Sequence, residues 1–451
     1  MIETDYSQYF KDKKITVMGL GLLGRGVGDA AFLAECGADV LITDLKSREQ
    51  LLPSLAALEA YSNITYVLGE HRFEDFENRD MILVAAGVPL ESPFLLHAKD
   101  KGVPLEMSAA LFARLSKISM IGVTGTRGKS TVTAMIHHVL SVVTGEEIIL
   151  GGNIRGVSNL QLLKVVHENA LAVFELDSWQ LQGFGWAHIS PQIAVFTNFM
   201  QDHQNYYHGD MEAYFADKAH IFLHQEESGV FVTTAEVFER AKNLPRVTLG
   251  QEVVFADASV LPEDFTLRIP GEHNRQNAAL AFYALRALSL AEDEILDGLS
   301  TFRGVPGRLE YLSEINGVKI YNDNNATTPE ATIAGLKAVC GKVPNVILIA
   351  GGAYKEVDPL PLASVIDTYC KGVILLPGTG TEKLKKISGN STICRTQCTE
   401  VTSLEDAVEH ALAQAVTGDV LLFSPAFASF GQYNNEYERN DEFIKLIEAL
   451  H

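Results

Sequence analysis

Short apolar runs alternate with segments of helical spacing along this chain, and twice a glycine-rich turn links run to helix. "KITVMGL", "ADVLITD" and "DMILVAAGVP" are strand-length runs without polar alternation, as strands buried on both faces require. Between them, "GRGVGDAAFLAEC" and "SREQLLPSLAALEA" place apolar residues at helical intervals. Strands joined through a helix lie parallel, so the alternation demands crossover units and a helix-covered parallel sheet. A second set, "ISMIGVTG", "LAVFEL", "QIAVFTNF" and "GVFVTTAE", repeats the pattern and is expected to close with the helix "NRQNAALAFYALRAL". A third set, "VKIYNDN", "NVILIAGG", "KGVILLPG" and "DVLLFSP", follows the Gly/Pro-containing stretch "FRGVPGRLEYL", which suits a linker.

At 451 residues the length prior is about three domains. The expected fold is therefore α/β in three parts. Residues 1–108 form a Rossmann-like N-terminal domain, 109–304 a central P-loop domain, and 305–451 a Rossmann-like C-terminal domain. The formal net charge of −21 disfavours a nucleic-acid or anionic-membrane partner, since both reward clustered Lys and Arg. Five scattered cysteines point to a reducing compartment, and neither a signal peptide nor a membrane-length apolar run is evident. A cytoplasmic protein is expected.

The first glycine turn, "VMGLGLLGRGVGDA", spells G-x-G-x-x-G with Gly19, Gly21 and Gly24, and Asp44 ends the next apolar run. That is the fingerprint of a dinucleotide site, the acid lying about twenty residues on. A nicotinamide oxidoreductase would rest on these four residues alone. It leaves a second, richer turn without a role.

That second turn, "GVTGTRGKSTVTAMI", carries Gly125, Thr126, Gly128, Lys129, Ser130 and Thr131 between a strand and an apolar helix. Such a loop turns backbone N–H groups inward, and the helix behind it presents its positive end to a phosphate. Lys129 would reach the β- and γ-phosphates, and a hydroxyl of Ser130 or Thr131 would bind magnesium. Gly122 stands one position too early for the strict G-x-x-x-x-G-K-[ST] spacing. Downstream, Glu175 ends the run "LAVFEL", from which a carboxylate can hold magnesium. Asp202 and His203 follow the next run, and Lys218 sits in "YFADKAHIF".

"GVTGTRGKST", "FELDSWQLQ", "TNFMQDH", "GEHNRQN", "GVPGRLE" and "SPAFASF" stand in the order seen in the Mur ligases, and the chain resembles that family over essentially its whole length. The resemblance implies an ATP-dependent amide ligase of peptidoglycan precursor synthesis that joins glutamate to UDP-N-acetylmuramoyl-L-alanine through an acyl phosphate. It implies that the first domain holds the UDP part of that substrate rather than NAD. Leu22, Leu23 and Gly24 would lie along its pyrophosphate, Asp44 near the uracil and Gly87 beside the nucleotide. Asn153 and Gln180 would reach it from the central domain. Catalysis would fall to Lys129, His203 and Lys218. One magnesium ion would sit at Ser130 and Glu175 and a second would involve His203 and a CO₂-carbamylated Lys218. Asn274 and Asn277 would contact adenine, and Arg308 and Asp323 would close onto the ATP. A monomer is expected, with no nucleic-acid or membrane partner.

Acceptor residues depart from the family pattern. Thr327, Lys355 and Ser429 match positions that bind the incoming glutamate. Asn325 replaces a lysine, Glu436 an aromatic residue and Asp177 a serine. Glu436 is expected to turn outward or to pair with Arg439. Lys355 favours glutamate as acceptor, D-glutamate foremost, with L-glutamate or another acceptor as the alternative.

Overall fold

The computed structural model describes residues 6–22, 24–244, 250–354, 357–388, 397–429, 432–433 and 436–450. Leu23 and Lys355 lie outside the described residues. Three sheets organise the rest. β1 (Lys14–Met18), β2 (Asp39–Asp44), β3 (Ile64–Leu68), β4 (Met81–Val84) and β5 (Leu105–Glu106) form an all-parallel sheet in the order β3-β2-β1-β4-β5. The order reverses between β1 and β4, so the glycine turn after β1 opens at the switch point where such sheets bind ligands. Both faces are covered. Val17 and Leu83 join one core cluster, while Met18, Ile82 and Val84 join another on the opposite side.

The second sheet contains β6 (Ser119–Thr124), β7 (Ile149–Gly152), β8 (Leu171–Glu175), β9 (Ile193–Phe196), β10 (Val230–Thr233) and β11 (Glu252–Phe255), again all parallel, in the order β11-β10-β9-β6-β8-β7. β6 lies between β8 and β9, so its glycine loop emerges at the middle of the sheet. Phe112, Phe174 and Phe196 belong to the same apolar cluster as Ile15 and Val17 of the first sheet. Phe112 stacks on Phe174 at 4.9 Å between ring centroids. Burying one such ring contributes about 1.5–3 kcal/mol.

The third sheet is mixed: β12 (Glu310–Ile315) pairs antiparallel with β13 (Val318–Asn322). β14 (Val346–Gly351), β15 (Cys370–Leu376), β16 (Gln397–Glu400) and β17 (Val420–Phe423) complete the order β12-β13-β17-β14-β15-β16 with parallel pairings. Along β14, Val346, Leu348 and Ala350 enter one cluster and Ile347 and Ile349 the other, the period-two split of a strand buried on both sides. The chain divides into two compact units. Residues Met1–Val260 with Asn277–Gly298 make the first, and Leu261–Gln276 with Leu299–His451 the second.

Three expectations need correction. Only Leu52–Ala56 of "SREQLLPSLAALEA" is α-helical, because Pro53 has no N–H and is confined to the first turn. A further helix, Glu292–Thr301, follows the one built from "NRQNAALAFYALRAL". The "GVPGR" stretch is not a free linker: the Arg308 N–H donates to the Val305 carbonyl at 2.9 Å, and Leu309 enters the third sheet's core.

Candidate active site and its two phosphate loops

Both helices that follow the glycine loops begin behind a glycine in the left-handed region, Gly24 at φ 84° before Arg25–Glu35 and Gly128 at φ 82° before Lys129–Thr144. A side chain there would strain the backbone. At Gly128 a Cβ would also lie 2.5 Å from Asn277 Oδ1, which places the predicted Asn277 against the loop.

Asp44, 4% exposed, fixes the first loop. One carboxylate oxygen accepts from the N–H groups of Leu20 (2.9 Å) and Gly21 (3.2 Å), the other from that of Lys46 (2.8 Å). The loop borders a cavity of about 810 Å³ whose wall includes the predicted Leu22, Asp44, Gly87 and Gln180. Gln180 is held by a capping box: Asp177 accepts from its N–H at 2.8 Å, and its Oε1 accepts from Asp177 N–H at 3.4 Å. The aspartate that departs from the family's serine is thus an N-cap whose negative charge suits a helix start.

Sequence reasoning missed several residues here. Arg25, Asp29 and His71 line the same cavity. The Thr43 hydroxyl and His71 Nδ1 are hydrogen-bonded at 2.7 Å, and burial lowers the pKa of the imidazole. Asp29 accepts from Ser158 Oγ (2.6 Å) and Leu160 N–H (3.1 Å), while burial pushes its carboxyl upward. Arg25 donates to Asn153 Oδ1 at 2.5 Å. The partners lie far apart along the chain, so no local pattern announces them.

The second loop is clamped from β9's far end. Asn198 accepts from Thr126 N–H through its carbonyl and from Arg127 N–H through Oδ1, each at 2.9 Å. Thr197 Oγ1 donates to the Arg127 carbonyl at 2.5 Å. Ser130 and Thr131 occupy the first turn of the helix behind it. Two lysines then converge on one oxygen. The Gly125 carbonyl accepts from Lys129 Nζ at 3.0 Å and from Lys218 Nζ at 2.9 Å. Lys218 is 1% exposed and also donates to Thr124 Oγ1 at 3.3 Å. Burial, then the charge of Lys129, pushes its pKa down to about 7 against the pull of Asp177, Asp202 and Glu175.

Glu175, buried at the end of β8, pairs in register with Val123 of β6 two residues before the loop. His203 adopts φ 50°, and its ring lies 4.7 Å from Trp179 and 5.8 Å from Tyr214. Its own N–H donates to Asp202 Oδ1 at 2.9 Å. Among the described residues no cluster of three or more His, Cys, Asp or Glu side chains forms a protein-only metal cage.

In the second unit, Arg308, Thr327 and Ser429 line a cavity of about 200 Å³ together with Asn325, Glu436 and Tyr437. Glu436 borders this space, and its negative charge acts on Arg439 as the sequence reading expected of a paired cation. The Arg439 hydrogen bonds go to Asn324 Oδ1 (2.8 Å), the Asn324 carbonyl (3.2 Å) and the Phe427 carbonyl (3.4 Å). Asp323 does not line the cavity; it accepts from Leu309 N–H at 3.0 Å and Ser424 Oγ at 2.8 Å, and burial pushes its pKa up to about 7. Asn274 donates to the Pro270 carbonyl at 2.9 Å within the same unit.

A nucleotide-type cavity at one sheet's switch point, a lysine-bearing phosphate loop on a second sheet and a further α/β domain define a multidomain P-loop nucleotide-binding protein. The chain belongs to the Mur ligase family. Residues 13–106 match the "Mur ligase MurD-like, N-terminal domain", 123–257 the "Mur ligase middle domain" and 307–427 the "Mur ligase, glutamate ligase domain". It is 35% identical to the UDP-N-acetylmuramoylalanine–D-glutamate ligase of Roseiflexus sp., with 97% of this chain and 99% of that one aligned. To the protein of the same name from Borreliella burgdorferi it is 34% identical, with 98% of each chain covered. Among solved structures, UDP-N-acetylmuramate-alanine ligase from Thermotoga maritima shares the fold with a TM-score of 0.58, at 18% identity over 97% of this chain and 100% of that one. The MurF ligase of Thermotoga maritima, solved in complex with ADP, does so with a TM-score of 0.55, at 18% identity over 99% and 97%.

Proposed function

We propose that this chain is an ATP-dependent ligase that joins D-glutamate to UDP-N-acetylmuramoyl-L-alanine in cytoplasmic peptidoglycan precursor synthesis. The observation that carries the chemistry is the pair of lysines on the Gly125 carbonyl. The name shared by the full-length relatives supports the substrates. The N-terminal cavity takes the UDP moiety, the central loop takes ATP, and the third domain, with Thr327, Ser429 and Lys355, takes the amino acid.

A carboxylate is a poor acyl donor. The alanine carboxylate oxygen therefore attacks the γ-phosphorus of ATP, and ADP departs to leave an acyl phosphate. The neutral amine of glutamate attacks the acyl carbon, loses a proton to a base, and the tetrahedral adduct expels phosphate. Such steps ask for positioning and charge neutralisation above all. Lys129 sits at the helix start to supply the latter, while loop N–H groups orient the phosphates.

The residues around the loop fit magnesium, a hard cation that binds one or two protein oxygens and keeps the remaining positions for phosphates and water. The Glu175 carboxylate and Ser130 hydroxyl would hold one ion, His203 and a carbamylated Lys218 the other. When bound, the metal neutralises charge on the transferring phosphoryl group. Burial favours the neutral Lys218 amine, which is the form that adds CO₂. Replacing Lys218 with alanine should sharply reduce turnover, and acetate should restore part of it by supplying the missing anionic oxygens. Full activity in that variant would remove Lys218 from the site.

Phosphate release in the presence of UDP-N-acetylmuramoyl-L-alanine, ATP and each glutamate enantiomer tests the whole reading. Turnover with D-glutamate alone is expected. Turnover with L-glutamate or a neutral amino acid in its place would retain the ligase and overturn the acceptor.

A further inference from the structure

The N-terminal cavity is lined by the carboxylates of Asp29, Asp44 and Glu91 and by the basic side chains of Arg25, Lys46 and His71, and a diphosphate needs cations. Of its acids, Asp44 accepts from three backbone N–H groups, and Asp29 accepts from Ser158 Oγ and Leu160 N–H through one oxygen; the Arg25 charge also acts on Asp29, whose burial pushes its carboxyl toward the neutral form and so weakens that pull. Lys46 approaches the Asp44 carboxylate at 3.9 Å. Burial pushes His71 toward its neutral imidazole, which leaves Arg25, half-buried on the cavity wall one residue beyond the glycine fingerprint. It is the first residue of the helix Arg25–Glu35, where the backbone also favours an anion.

We propose that Arg25 reads the diphosphate of the UDP substrate and fixes its specificity for a uridine diphosphate over an uncharged nucleoside. This rests on the reading that the N-terminal cavity takes the UDP moiety. A guanidinium offers five donors in a rigid fork, matched to phosphate oxygens. One donor is used on Asn153 Oδ1 at 2.5 Å. That bond serves two ends: it holds the guanidinium in place, and it turns the amide of Asn153 so that its NH₂ group is the end left to donate. Leu22 beside it, 56% exposed, brings no polar group, so the side-chain contribution to phosphate binding at this loop falls to Arg25.

The test is calorimetric titration of UDP and of uridine into the full-length wild type, Arg25→Leu and Arg25→Lys. Loss of a charge-assisted contact should weaken UDP binding about ten- to a hundredfold in Arg25→Leu while uridine binding stays within about twofold. Arg25→Lys should fall between, since an ammonium keeps the charge and loses the fork. With the complete reaction, the KM for the UDP substrate should rise in Arg25→Leu while that for ATP does not. Unchanged UDP affinity in Arg25→Leu overturns the assignment of Arg25, as does an equal loss of UDP and uridine, which would mark a merely structural residue. A wild type that binds neither ligand overturns the uridine-nucleotide reading itself, and this proposal with it.

Discussion

Two lysine nitrogens sharing the Gly125 carbonyl, one of them buried, make a site where a second positive charge is disfavoured, so Lys129 holds the charge and Lys218 is pushed toward its neutral amine. Lys129 is the more accessible of the two and stands at the helix start, so Lys129→Ala should cut phosphate release at saturating ATP about a hundred- to a thousandfold, the usual cost of a preorganised electrostatic group. Near-normal turnover would show that the loop serves another purpose. Asp323 presents the opposite case, an acid raised from 3.8 to about 7 chiefly by burial. Between those values the folded chain holds a proton that the unfolded chain has released. Its contribution to stability is therefore whole below about pH 4 and is lost as pH rises through about 7. Asparagine keeps an acceptor for Leu309 N–H and can donate to Ser424 Oγ without the buried charge. Asp323→Asn should thus flatten the fall in stability between pH 4 and 7. Urea unfolding of both proteins across that range measures it, and parallel profiles would show that Asp323 does not titrate there.

The helix Arg25–Glu35 joins the first two sheets through its polar side. Asp29 receives Ser158 and Leu160, the Gly28 carbonyl accepts from Gln161 Nε2 at 3.1 Å, and Glu35 accepts from Lys164 Nζ at 2.5 Å. Asp29→Ala would leave the Ser158 and Leu160 donors without their acceptor, at a cost of about 1–3 kcal/mol, and Asp29→Asn, which keeps one acceptor, should cost less. Thermal unfolding followed by calorimetry checks this; equal melting of Asp29→Ala and wild type would mean that the seam contributes nothing. No such seam can be seen in sequence, because Asp29 and Ser158 meet only after two sheets have formed. The same limit explains which strands were legible. β1, β2, β4, β6, β8 and β9 read as apolar runs because they are buried along most of their length. β3, β11 and β12 are sheet-edge strands whose residues are largely half-exposed, so they lack the run and escape notice. Lys129 and its loop were legible because a phosphate loop is local in sequence. Lys218 stood out only by resemblance, since nothing in "YFADKAHIF" marks its lysine as buried.

Over the whole molecule, the first unit carries both glycine loops and the second carries the cavity of Arg308, Thr327 and Ser429. Two compact units with separate cores are expected to unfold with resolvable transitions, and a ligand raises only the transition of the unit it binds. UDP-N-acetylmuramoyl-L-alanine, if seated in the N-terminal cavity, should stabilise the first unit by RT ln(1 + [L]/Kd), about 2.7 kcal/mol at a hundredfold excess over Kd. For a unit of this size each kcal/mol raises the midpoint by about 2–4 °C, so the shift is well within reach of scanning calorimetry. NAD and NADP share the diphosphate but carry adenine and nicotinamide, and they should leave the transition where it is. The glycine fingerprint alone does not separate these ligands, since Gly19, Gly21 and Gly24 shape a turn that admits any diphosphate. Nor does Asp44 separate them: its carboxylate accepts three backbone N–H groups, and of about four acceptor positions one remains on Oδ1 for a ligand hydroxyl. A shift with NAD and none with the uridine substrate would assign the first domain to a dinucleotide and leave the ATP loop of the second sheet untouched.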